Sequence, residues 1–237
     1  DWVTLYANGI RYLEKAPLLY WSMAASFKVF GVHAAAARLP LALTVLALVL
    51  AMEAFARRAF RSHRSGLYAG LILLSSFGIF IFTRITIPDA MVCLWLTLAL
   101  FAYWLTEQTN EPQIRVPHLR DSSIVAKVGI REANRTPLPL DESQPNPILC
   151  YAFAACCALN VLTKGLIGIV FPIAIVLAHL ALTRRSLGAV LKRLWQLRPI
   201  SSAIVFLIIA APWHILIALA NPTHGHPGAL TFAHGHW

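Results

Sequence analysis

Long apolar stretches separated by short polar connections dominate the chain. They cover residues 35–56, 66–83, 90–106, 148–163, 166–183 and 200–220. Each approaches the roughly 20 apolar residues with which an α-helix crosses a hydrocarbon core of about 30 Å. A segment inside a bilayer has to satisfy its own backbone hydrogen bonds, and a helix does so without a partner strand. The pattern therefore predicts an all-α, polytopic helical membrane protein with about six spans. The stretch 17–30 is shorter, contains Lys28 and follows charged residues, so it reads as an interfacial helix. The organisation that follows is an outer segment 1–34, a transmembrane core 35–220 and the start of an outer loop at 221–237.

The connections differ sharply in charge. Fourteen of the 20 lysines and arginines lie in 57–64, 107–147 and 184–198, which alternate with the other connections along the chain. This is the positive-inside pattern, and it places those three connections in the cytoplasm. Only Arg11, Lys15, Lys28, Arg38, Arg84 and Lys164 fall elsewhere. Six of the ten acidic residues lie in 107–147, and Glu53 stands four residues before Arg57, the spacing of a helical ion pair. Asp1, Glu14 and Asp89 remain for the outer face.

Composition agrees with this picture. The chain is 58% hydrophobic and 13% charged, against about 25% charged in soluble domains. Its mean hydropathy is +0.66. The net charge of +10 would suit nucleic acid if it were clustered on one face, but its division among connections assigns it to membrane topology instead. Cys93, Cys150, Cys156 and Cys157 all lie in apolar stretches with no metal-ligand spacing, and read as small core- or lipid-facing residues. The polar 107–147 connection is rich in proline and reads as linker, with a short strand or helix at 123–130. Residues 184–198 alternate basic and apolar positions and suit a helix on the inner surface.

The few outer charges carry the candidate chemistry. Arg11, Lys15, Arg84 and Lys164 are suited to neutralise the phosphate of a lipid carrier, arginine by forked contacts and lysine as a point charge. Lys164, in the turn Thr163-Lys164-Gly165, equally fits a lysine that merely snorkels to the interface. Asp89 opens a span just after Pro88. It suits a base or an acceptor-orienting group, or else one half of an interfacial ion pair with Arg84. Glu14 and the late histidines, including His234 and His236, are oxygen and imidazole donors of the kind zinc takes. They also fit plain loop residues.

Several runs together resemble one family. They are Asp1-Trp2-Val3-Thr4, Asn8-Gly9, Tyr12-Leu13-Glu14-Lys15-Ala16-Pro17-Leu18 and Ala37-Arg38-Leu39-Pro40, followed in order by Arg84 to Met91, Thr163-Lys164-Gly165, Pro212-Trp213, Asn221-Pro222 and His234-Gly235-His236-Trp237. The set resembles the bacterial dolichyl-phosphate-mannose-protein mannosyltransferase-like group of membrane glycosyltransferases, which includes the lipid A aminoarabinose transferases. The resemblance implies a GT-C-type transmembrane core in a bacterial inner membrane, with its active site facing the periplasm. It implies transfer of a sugar from a polyprenyl-phosphate donor to a lipid or protein acceptor, with inversion at the anomeric carbon. By the same match Lys15 would contact the donor phosphate and Asp89 would be the second acidic residue of the site. Glu14, with His234 or His236, would hold the zinc found in some members.

The sequence departs from the family pattern at Gly235, where relatives often carry Glu, and in a longer 107–147 connection. The family's principal catalytic Asp and first span precede the position matched by Asp1, and many relatives carry a further periplasmic domain. The expectation is a fragment of a longer enzyme, inactive alone. The rival readings are a transporter or flippase, which calls for ionisable groups near the midplane and paired broken helices, and a non-catalytic membrane scaffold.

Overall fold

The computed structural model describes residues 2–7, 10–11, 15–108, 144–184 and 186–221; for residues 7, 10, 11 and 82–84 it describes the backbone alone. The expected element at 123–130 and the loop 222–237 lie outside the described residues. Two very short strands, β1 (Tyr6–Ala7) and β2 (Ile10–Arg11), pair antiparallel with Tyr6 opposite Arg11. The remaining elements are helices: α1 (Leu18–Phe30), α2 (Ala34–Ala59), α3 (His63–Leu74), α4 (Phe77–Arg84), α5 (Asp89–Gln108), α6 (Pro147–Lys164), α7 (Ile167–Thr183), α8 (Leu187–Gln196) and α9 (Pro199–Ala220).

Local chemistry sets the boundaries. The Ser62 hydroxyl accepts the Ser65 N–H at the start of α3, the Asn146 side-chain Oδ1 accepts the Ile148 N–H at the start of α6, and the Ser186 hydroxyl accepts the Ala189 N–H at the start of α8. Pro147 occupies the first turn of α6, where its missing N–H leaves nothing unpaired. One expectation is corrected here. The stretch 66–83 is two helices, α3 and α4, rather than one span. Ser75 turns its hydroxyl back to the Ile72 carbonyl, and the Ser76 N–H reaches the Leu73 carbonyl three residues back. Those local bonds tighten the last turn of α3 and end it.

Four described helices, α2, α5, α6 and α9, are long and apolar enough to cross a membrane, and α7 is a shorter apolar helix. α5 and α6 form the centre of the bundle: 39% and 44% of their most apolar windows are buried within it, against 17% for α9. α9 thus turns most of its apolar surface outward, as Ile204, Leu207, Ile208 and Leu219 show. Lipid tails are as apolar as leucine, so helices in a membrane associate by close packing rather than by burial from water. The α2–α3 contact illustrates this. Gly66 and Gly70 form a small-residue stripe against α2, and a Cβ on Gly66 would meet the Glu53 carbonyl oxygen at 2.8 Å and the Arg57 Cβ at 2.9 Å. The expected Glu53–Arg57 pair spans the same turn at 3.6 Å.

The chain reversals fall at two ends. The α2–α3 turn, the ends of α5 and α6 that flank 109–146, and α8 with its flanks share the basic end. The α4–α5 and α6–α7 turns share the opposite end with the start of α1 and the end of α9.

Gly66→Leu is expected to destabilise the bundle by about 1–3 kcal/mol, the usual cost of overpacking. Gly188→Ala, whose new Cβ meets nothing within 4 Å, should be neutral or slightly stabilising. Thermal unfolding in detergent, followed by helical circular dichroism, measures both. Equal melting of the two variants would contradict the α2–α3 packing.

Candidate functional site

Two turns build the site at the end of the bundle away from the basic connections. Pro88 supplies no N–H, so α5 starts afresh at Asp89, with the Val92 N–H reaching the Pro88 carbonyl. α6 stops at Lys164 because Gly165 takes φ +74°, a conformation open to glycine, and donates its N–H to the Val161 carbonyl. α5 and α6 are antiparallel neighbours, so the first residue of one meets the last of the other. Lys164 Nζ donates to Asp89 Oδ1 at 2.5 Å.

Lys164 is therefore one partner of Asp89, where the short turn suggested Arg84. Arg84 closes α4, but its side chain lies outside the described residues. The ion pair is partly open to its surroundings, with the Lys164 and Asp89 side chains 40% and 31% exposed. Both charges sit where helix dipoles favour them, an acid in a first turn and a base in a last turn. One turn back along α6, Asn160 is almost fully buried, and its Oδ1 has no hydrogen-bond partner among the described residues.

The segment bearing Lys15 is tied to the same end. The Trp21 indole N–H donates to the Trp2 carbonyl at 2.8 Å, and that of Trp213 donates to the Val3 carbonyl at 3.2 Å. Asn221 Nδ2 donates to the Thr4 hydroxyl. Beneath these bonds Leu162, Trp213 and Ile217 form an apolar cluster that takes in Val3, Leu18 and Trp21. Lys15 precedes Leu18 by three residues, Lys164 follows Leu162 by two, and Leu18 packs on the cluster that holds Leu162. Lys15 itself is exposed. Arg11 lies in β2, its side chain outside the described residues, as are Glu14, His234 and His236 altogether. No group of three or more His, Cys, Asp or Glu comes together among the described residues.

Sequence reasoning missed a second charged cluster at the basic end. Glu107, near the end of α5, accepts from Arg193 Nε at 2.9 Å and from Arg184 Nη2 at 3.2 Å. Arg193 is buried and also donates to the Thr106 carbonyl and the Gln196 side chain. Nearby, the Tyr103 hydroxyl and His179 Nδ1 share a hydrogen bond of 2.8 Å. A signal for Arg193 existed: Val190 and Leu197 flank it at helical spacing on the packed face of α8.

A family model described as dolichyl-phosphate-mannose-protein mannosyltransferase matches residues 2–118. The undecaprenyl phosphate-alpha-4-amino-4-deoxy-L-arabinose arabinosyl transferase of Aeromonas salmonicida is 27% identical over 95% of this chain and 35% of that protein. The crystal structure of ArnT from Cupriavidus metallidurans in the apo state is similar with a TM-score of 0.69 and 27% identity, over 100% of this chain and 37% of the other. ArnT from the same organism bound to undecaprenyl phosphate gives 0.68 and 26%, over 94% and 34%. The chain spans about a third of the length of the curated relatives it matches. These likenesses uphold the resemblance read from the motifs, and the GT-C-type helical membrane core with it.

The Asp89–Lys164 contact has a measurable strength. A double-mutant cycle with Asp89→Asn and Lys164→Gln should give a coupling of about 0.5–1 kcal/mol in thermal stability, the upper range for exposed pairs. Zero coupling would mean that the two side chains do not meet.

Proposed function

We propose that this chain, similar to the aminoarabinose transferases of the dolichyl-phosphate-mannose-protein mannosyltransferase-like group, is the donor-binding part of a glycosyltransferase. It moves a sugar from a polyprenyl-phosphate carrier to a lipid or protein acceptor on the periplasmic face of a bacterial inner membrane. The observation that carries this reading is the charged site at the weakly basic end of the bundle, where Asp89 and Lys164 meet beside the segment that bears Lys15. An anionic carrier head group at the membrane boundary needs cations at that height, and Lys164 stands there with the segment that bears Lys15. A transporter or flippase is less well supported, because the described charge clusters sit at the two ends of α5 rather than at its middle.

In the proposed reaction an acceptor oxygen attacks C1 of the sugar. The new C1–O bond forms as the C1–O bond to the carrier phosphate breaks, and the phosphate leaves with the bonding pair. The acceptor proton passes to a carboxylate acting as base. Lys15 and Lys164, with Arg11 and Arg84, offset the negative charge that grows on the leaving phosphate. Asp89 holds Lys164 in place and orients the acceptor. A zinc ion held by Glu14 with His234 or His236 would suit that donor set and would supply a fixed positive charge to the outer loops.

Three measurements test the reading, all on the full-length protein. Asp89→Asn should insert and fold normally yet lose on the order of 10²-fold or more in transfer rate; near-normal transfer would reduce Asp89 to a structural ion pair. Lys15→Ala should raise the KM for donor far more than Lys28→Ala, since Lys28 lies on α1 away from the matched motif. Equal donor kinetics would remove Lys15 from the site. Elemental analysis should find about one zinc per chain, lost in Glu14→Gln, and wild-type protein without zinc would leave the histidines as loop residues.

A further inference from the structure

The turn between α1 and α2 carries an apolar tip. Val29, Phe30 and Val32 stand almost side by side and are 72%, 57% and 85% exposed. Single exposed apolar side chains are common, but a contiguous group of large ones marks a contact surface. The turn is built rather than frayed. Gly31 takes φ +86° and donates its N–H to the Phe27 carbonyl, which closes α1. The His33 ring then brackets the turn. Its Nδ1 accepts the Ala36 N–H at the start of α2, so its Nε2 is the nitrogen that donates to the Phe30 carbonyl, each at 3.1 Å. The buried Ser26 hydroxyl donates to the Ala36 carbonyl at 2.6 Å and ties the last turn of α1 to the first turn of α2. Bonds on both sides of the tip hold its three side chains outward, so they do not fold back onto the bundle.

Depth identifies what the tip meets. On α2 the Glu53–Arg57 pair marks the basic end. About 20 residues of helix, roughly 30 Å and the thickness of a hydrocarbon core, lead back from Glu53 to His33. The tip therefore stands at the opposite hydrocarbon boundary. α1 runs along that boundary rather than across the membrane. Its first residue, Leu18, packs on the cluster of Leu162, close to the outer end of α6, and its last, Phe30, leads through the turn into the outer end of α2. A helix of 13 residues, about 20 Å long, that begins and ends at the same level lies in the interface plane. The apolar medium at that level, on the outward side of the turn, is the lipid of the adjacent leaflet.

We propose that the α1–α2 turn is a membrane wedge, which inserts Val29, Phe30 and Val32 among the upper acyl chains of the outer leaflet and so anchors α1 to the bilayer. Moving large apolar side chains out of water is the driving force, and the bonds of His33 and Ser26 fix the tip in the shape that inserts, so little ordering cost is left. The wedge acts on lipid alone and does not depend on the transfer reaction proposed above.

The test uses the full-length protein in phosphatidylethanolamine vesicles that contain a minor share of a phospholipid with a diazirine on its acyl chain, close to the ester. After irradiation, lipid adducts are located residue by residue with mass spectrometry. Wild-type protein should carry adducts on Val29, Phe30 or Val32 at a yield comparable with that on Leu43, Leu46 and Leu50, exposed residues of the span α2. Phe30→Asp with Val32→Asp should abolish labelling of the turn. The same pair should speed amide hydrogen exchange across α1 about tenfold or more, and leave exchange in α6 unchanged. Phe30→Leu with Val32→Ile, which keeps the tip apolar, should preserve both the labelling and the slow exchange. Wild-type protein labelled on its spans but bare at the turn would overturn the proposal, whether water or another protein segment covers the tip. Equal exchange in the aspartate and the apolar pairs would overturn the anchoring of α1. The wild-type labelling decides insertion even where the aspartate variant fails to fold.

Discussion

Helix α5 carries a carboxylate near each end, and the bundle is arranged around what those two carboxylates meet. Asp89 and Glu107 are separated by 18 residues, about 27 Å along an α-helix, close to the hydrocarbon thickness of a bilayer. A charge held between those levels would cost several kcal/mol. Each end of α5 is therefore pinned to a boundary, and each is met there by cations from other helices. Lys164 of α6 reaches Asp89, while Arg184 after α7 and Arg193 of α8 reach Glu107. The depth of α5 in turn fixes α6, its antiparallel neighbour, and through α6 the cluster of Leu162, Trp213 and Ile217 that anchors the N-terminal segment.

Much of this was legible in the sequence because it is local. The apolar stretches gave the helices to within a few residues. The spacing of Glu53 and Arg57 gave their pair, and the distribution of lysine and arginine separated the two ends. The break between α3 and α4 was missed because hydropathy averages over Ser75 and Ser76, whereas the helix responds to their hydrogen bonds. The partners of Asp89 and Glu107 were missed for a different reason. They lie more than 70 residues away in sequence, and only the packing of antiparallel helices brings such distant bases to them. The motif resemblance marked Lys15, Asp89 and Lys164 singly; the fold supplies their common end.

The two ends hold their charges in different ways, and the difference fits the proposed chemistry. At the basic end the Arg193 side chain is only 4% exposed and shares Glu107 with Arg184. Removing one partner of such a buried pair typically costs about 3–5 kcal/mol, so this end is locked. At the other end Lys164 and Asp89 keep 40% and 31% of their side-chain surface, and pairs of that kind contribute about 0–1 kcal/mol. In the proposed reaction a carrier phosphate arriving beside Lys164 would exchange with Asp89 for its ammonium group, and the displaced carboxylate would stand at the membrane boundary to accept from the incoming hydroxyl of an acceptor. A site that must bind and release an anion in every turnover is better served by this exchangeable pair than by the locked one, and the fold puts the exchangeable pair at the end where the family motifs gather.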